Sequence, residues 1–153
     1  MCVVMIFISH RGNLHGKTKE RENDPFYISE ALDMGFDVEV DVRRVEEKWF
    51  LGHDEPEYRV DKLFLENKRI WCHAKDIHTL ECLLHIDCHC FWHQTDDVTL
   101  TSKNYIWTYP TKQLSPSSIA VMPEVANYKI VELKKCSGIC SDNIIEFRKK
   151  ING

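Results

Sequence analysis

The chain alternates short apolar runs with short amphipathic stretches, and nearly every apolar run ends on a charged or imidazole residue. Val3–Ser9 is apolar almost throughout, the pattern of a strand covered on both faces. A helix follows: Asp24 suits the N-cap, Pro25 the first helical position and Gly35 the position just past the end. Ile28, Ala31 and Leu32 supply its apolar stripe. Phe36–Val42 reads as the second strand, Trp49–Gly52 as a short strand returning against it, and Arg69–Ala74 as the next core strand. Asp76 caps a helix whose apolar face is expected at Ile77, Leu80, Leu83 and Leu84. Cys88–His93, Tyr105–Tyr109 and Ile119–Met122 read as strands with little helix between them. Ser137–Ser141 is the last strand and Ile144–Ile151 a closing helix.

Alternation of strand and helix favours a parallel sheet. About seven core strands can be counted, whereas a complete eightfold barrel takes about 250 residues, and about 200 at the low end. The chain has 153. The expected fold is therefore a single α/β domain over residues 1–153: a reduced TIM-type (β/α) barrel of about seven to eight mostly parallel strands, with several helices replaced by loops.

An apolar content of 43% supports one continuous core, and the net charge of −4 argues against nucleic acid and anionic membrane surfaces as partners. Seven cysteines, an odd number in no spaced framework, imply free thiols and a reducing compartment. The apolar start lacks a basic flank and is too short to span a bilayer, so a cytoplasmic location without stable membrane insertion is expected.

The polar strand ends carry the chemistry. His10 and Arg11 follow the first strand, Glu39 and Asp41 lie on the second, and His53 and Asp54 follow the return strand. His73 and Lys75 end the third core strand, His93 the next; Glu124 and Asp142 follow the last two. In a barrel of parallel strands such ends converge on one rim, where active sites sit; the alternative is that polar residues merely mark where strands stop. Glu39 and Asp41, two apart on a strand, share a face. Two carboxylates there repel in a dry interior unless a divalent cation takes both as ligands, or unless Arg43, Arg44 or Lys75 pairs with them.

Four segments in order resemble the start of the glycerophosphodiester phosphodiesterases: Ile8-Ser9-His10-Arg11-Gly12; Glu22-Asn23; Ala31-Leu32 with Gly35 to Val42; and Leu51-Gly52-His53-Asp54. Trp71 to Lys75 and Ser137 to Asp142 resemble later strands of that family more loosely. The resemblance implies a metal-dependent phosphodiesterase acting on a small glycerol-type phosphodiester. In it His10 and His53 would be the acid–base pair, and Arg11 and Lys75 would hold the phosphate. Glu39 and Asp41 would bind Mg2+ or Ca2+, and Glu22 would assist the metal or orient His10. The family is thought to attack phosphorus with a neighbouring hydroxyl, forming a cyclic phosphate.

Three departures qualify the likeness. His73 stands where the family has an acidic ligand; it suits Mn2+ or Zn2+ better, or Glu124 completes the site instead. Only Glu55 to Lys68 separate His53-Asp54 from the next core strand, where the family carries a substrate-covering insertion, so an open site is expected. Lys17 to Arg21 is charged and reads as a mobile rim loop. Phe91, Trp92, Trp107 and Tyr109 either wall the pocket or fill the core. A dense set of cysteines and histidines from Cys72 to His93 raises structural zinc as a rival, against simple packing of small thiols. A catalytically silent barrel that binds a phosphate-bearing ligand is the other alternative.

Overall fold

The computed structural model describes residues 4–153, so Val3, expected to head the first strand, lies outside the described residues. In chain order the elements are β1 (Ile6–His10), α1 (Pro25–Asp33), β2 (Asp37–Val45), β3 (Lys48–Leu51), β4 (Tyr58–Val60), α2 (Lys62–Leu65) and β5 (Ile70–Ala74). There follow α3 (Ile77–Leu83), β6 (His89–Phe91), β7 (Val98–Leu100), β8 (Ile106–Thr108), β9 (Ser118–Val121), α4 (Ile130–Leu133), β10 (Gly138–Ser141) and α5 (Ile144–Asn152).

The capping signals act as read. The Asp24 side chain accepts from Phe26 N at the start of α1, and the Asp76 side chain accepts from Thr79 N at the start of α3. The buried face of α3 meets the expectation in part: Leu83 is fully buried and Leu80 packs on the core, whereas Ile77 and Leu84 are exposed and Thr79 is fully buried. Its hydroxyl accepts a hydrogen bond from Arg44 N on β2, at 2.9 Å, which rotates the helix away from its most apolar stripe.

The parallel strands lie in the order β6-β5-β2-β1-β10-β9-β8. β3 and β4 return antiparallel from the far half of β2, and β7 pairs antiparallel with β8. The sheet is therefore a curled, open and partly antiparallel α/β structure. Among the described residues no strand ladder joins β6 to β8. Ser102 N donates to Cys90 O at 2.9 Å, Cys90 N to Ser102 Oγ at 2.9 Å, and Thr99 Oγ1 to Trp92 O at 3.1 Å, so isolated bonds from the β7 region cross that gap.

Two apolar clusters occupy the two faces. Ile8, Trp71, Phe91, Trp107, Ile119 and Cys140 all come from strands and pack together inside the curl. Val38, Val40, Val42, Cys72 and Ile139 face outward against helical residues such as Ile28, Ala31, Leu83 and Ile144. The two-residue period of β2 thus sends its valines to the helices and Glu39 and Asp41 into the curl. None of the helices among the described residues is long and apolar enough to cross a membrane.

Candidate active site

Register brings the polar strand ends together. His10 lies beside Glu39 across the β1–β2 ladder, and Asp41 lies beside His73 across the β2–β5 ladder. His10, Arg11, Glu39, His53, His73 and Lys75 line one cleft of about 360 Å³ at the carboxyl ends of the parallel strands. A larger hollow, about 500 Å³, lies between residues 111–116 and α4 and contains none of these residues.

The two imidazoles His10 and His53 are each oriented by an aspartate. His10 Nδ1 donates to Asp142 Oδ1 at 2.7 Å, and His53 Nδ1 to Asp54 Oδ1 at 2.7 Å, leaving Nε2 of both rings free of that partner. Burial opposes a charge on His10, but the bond to Asp142 and the Glu39 charge outweigh it, so its pKa lies above the ordinary value. Asp142, buried yet bonded to His10 and Asn13, sits below the usual carboxylate range. His53 is more exposed, with 45% of its side chain accessible against 17% for His10. It is held at the cleft by Arg43, which donates to the carbonyls of Gly52 and His53.

Asp41 is fully buried and well tied. Asn23 Nδ2 donates to its Oδ2 at 2.9 Å, its own N–H donates to Asn23 Oδ1, and Arg11 Nε lies 2.8 Å from Oδ2. Lys75 Nζ stands 3.4 Å from Oδ1. Burial raises its pKa, but Arg11 and Lys75 overcome this and hold it below the usual range. Arg43 and Arg44 do not pair with the acidic couple; Arg44 stacks on Trp49.

Glu39 is the outlier. It is 1% exposed, and neither carboxylate oxygen has a hydrogen-bond partner; Asp41 Oδ1 is likewise unbonded. Its polar neighbours are His10 Nε2 at 3.6 Å and His73 Nδ1 at 3.4 Å. Buried polar atoms without partners are costly and rare. Glu39, Asp41 and His73 each offer a ligand atom, and these atoms lie within 4.8 Å of one another. The carboxylates Glu22, Glu39, Asp41 and Asp142 face the permanent cations Arg11 and Lys75, and Asp142 is matched by His10, whose charged form it favours, so negative charge is left in excess around Glu39. A donor set of two carboxylates and an imidazole with excess negative charge fits a divalent cation.

The other expected ligands lie elsewhere. Glu22 is buried against Arg11 Nη1 and Asn13 Nδ2, where it orients the guanidinium. Glu124 accepts from Ser141 Oγ and Asp142 N, fixing the turn that carries Asp142. Lys17 to Arg21 is tied down rather than loose: Thr18 N donates to Asn13 Oδ1, and Thr18 O accepts from Arg21 and Glu22. Phe91 and Trp107 fill the curl, Trp107 also lining the cleft, and Tyr109 packs at a tilt against His93 with centroids 4.2 Å apart. Cys72, Cys88 and Cys90 pack among core residues, and no Cys/His group among the described residues has ligand spacing.

Asn13 escaped the sequence reading. It is fully buried and uses its whole hydrogen-bonding capacity, donating to Glu22 Oε1 and Asp142 Oδ1 and accepting from Thr18 N and Tyr27 Oη. It thereby ties the Arg11 side of the cleft to the His10 side. Its position right after His10-Arg11-Gly12 was the available signal. No protein-family model, curated protein or solved structure matches this chain.

Proposed function

We propose that the chain is a metal-dependent phosphodiesterase for small glycerophosphodiester-like substrates, working on a reduced barrel of TIM type. The observation that carries this reading is the buried, unbonded Glu39 carboxylate beside the unbonded Asp41 Oδ1 and His73, flanked in one cleft by His10 and His53. The strand order, the site at the carboxyl ends of the strands and the sequence resemblance all support it.

Glu39, Asp41 and His73 would hold the cation, which when bound would draw charge from the phosphoryl oxygens. Arg11, braced by Glu22 and Asp41, and Lys75 face the cleft as anchors for a phosphate. One aspartate-oriented imidazole takes the proton from a vicinal substrate hydroxyl as its oxygen attacks phosphorus. The other delivers a proton to the departing alkoxide, giving a cyclic phosphate and an alcohol. The short 55–68 connection leaves the cleft open, which suits a small or flexible substrate.

The test is turnover of a glycerophosphodiester with Mg2+, Ca2+ or Mn2+ added. Activity lost in both His10→Ala and His53→Ala is expected. A wild-type rate no higher than that of His10→Ala under every metal would refute the proposal.

A further inference from the structure

His73 has only one nitrogen to offer the acidic pair, and the fold dictates which. Its Nε2 lies 3.0 Å from the carbonyl oxygen of His93. A carbonyl can only accept, so Nε2 carries the proton. In the neutral ring Nδ1 then presents a bare lone pair, 3.4 Å from Glu39 Oε1 and 3.8 Å from Asp41 Oδ1. The ring plane is fixed as well, stacked on Phe91 with centroids 4.8 Å apart and planes 22° apart. With the ring neutral, three lone-pair donors thus converge within 4.8 Å of one another.

Resting on the metal-dependent reading above, we infer that Glu39, Asp41 and His73 form a site selective for a divalent transition ion, Mn2+, Co2+ or Zn2+, with His73 Nδ1 as the selecting ligand. An imidazole that ligates through one nitrogen and donates its other N–H to a backbone carbonyl is the arrangement that fixes the tautomer for metal binding. Mg2+ and Ca2+ prefer all-oxygen shells and gain little from such a nitrogen, whereas first-row transition ions and Zn2+ take imidazole readily. The Glu39 and Asp41 oxygens alone would not discriminate; the nitrogen does.

The experiment is calorimetric titration of chelator-stripped protein with MnCl2, CoCl2, ZnCl2, MgCl2 and CaCl2, together with the visible spectrum of the Co2+ form. Transition ions should bind at least about tenfold more tightly than Mg2+ or Ca2+. His73→Gln should cost about 10- to 100-fold for Co2+ and Zn2+, the scale of disturbing a metal's ligand environment, and change Mg2+ affinity little. His73→Glu should bring Mg2+ level with Mn2+. As a check that needs no folded variant, nitrogen-15 spectra of the wild-type histidines should show His73 Nδ1 shifting on Zn2+ addition while its Nε2–H persists. Mg2+ or Ca2+ binding as tightly as Zn2+, or a Co2+ spectrum untouched by His73→Gln, would overturn this inference while leaving a Glu39/Asp41 metal centre standing. Failure of every ion to bind would remove the centre itself and the inference with it.

Discussion

Glu39→Gln should make the metal-free protein more stable and the metal-loaded protein comparatively less so. Glu39 is 1% exposed with both oxygens unbonded, and Asp41 adds a like charge on the same face of β2. Leaving such a group buried and unsatisfied costs about 1–3 kcal/mol, and more when it is charged. Glutamine keeps the shape, removes the charge and offers an N–H to His73 Nδ1, whose lone pair lies 3.4 Å from Oε1. In chelator the variant should therefore gain about 1–2 kcal/mol, a rise of about 2–8 °C in Tm for a domain of this size. At a hundredfold excess of metal over Kd the parent gains about 2.7 kcal/mol, which the variant forgoes, so the order of the two proteins inverts. Thermal unfolding followed by tryptophan fluorescence and calorimetry, with EDTA and then with Mn2+, measures both halves. A variant less stable than the parent in EDTA would refute the reasoning. It would mean that the Glu39 charge is satisfied within the protein by protonated His10 and His73.

Three further outcomes follow from the geometry. Asn13→Leu should lose about 2–4 kcal/mol in urea unfolding, because Glu22 and Asp142 each lose a donor inside a shared buried network; a loss below 1 kcal/mol would show that the network re-forms without it. His89 is buried inside the lower end of the curl, and burial, helped by the Lys103 charge, pushes its pKa down to about 4 from 6.5. The unfolded chain then takes up the proton first, so its contribution is intact above pH 6.5 and is lost as pH falls from 6.5 towards 4. The span corresponds to about 3 kcal/mol, trimmed to about 2 by solvent screening, and should vanish from urea midpoints of His89→Phe. At Gly52 an added Cβ would sit 1.9 Å from Glu55 O in a backbone at φ +154°, so Gly52→Ala should cost about 1–3 kcal/mol and displace His53. A structure of that variant with His53 unmoved would count against the role assigned to the turn.

Long elements with a clear period were legible before any coordinates. The Asp24 and Asp76 caps, the outward valines of β2 and the antiparallel return of β3 all follow from residue type and spacing. The elements that escaped are the three- and four-residue pieces β4, α2, β7 and α4. They are too short to show a period and exist because neighbouring strands and loops satisfy their backbone groups. Leu80 and Leu83 of α3 face the core as their spacing implies, while Ile77 and Leu84 do not, because the helix turns Thr79 inward to accept from Arg44 N.

Residue type and spacing establish which residues have chemical capacity and on which face of each strand they fall, because a two-residue period and local capping are properties of the chain alone. Which of them meet is set by strand pairing in the folded chain. In-register pairing of β1, β2 and β5 sets His10 beside Glu39 and Asp41 beside His73. Burial strips Glu39 of water, and the His93 carbonyl chooses the nitrogen that His73 presents. Glu22 and Glu124 have the same carboxylate as Glu39, but nearby donors claim theirs first. Whether a carboxylate stays free to take a cation depends on which hydrogen bonds are left unmade, and that is a property of the assembled fold.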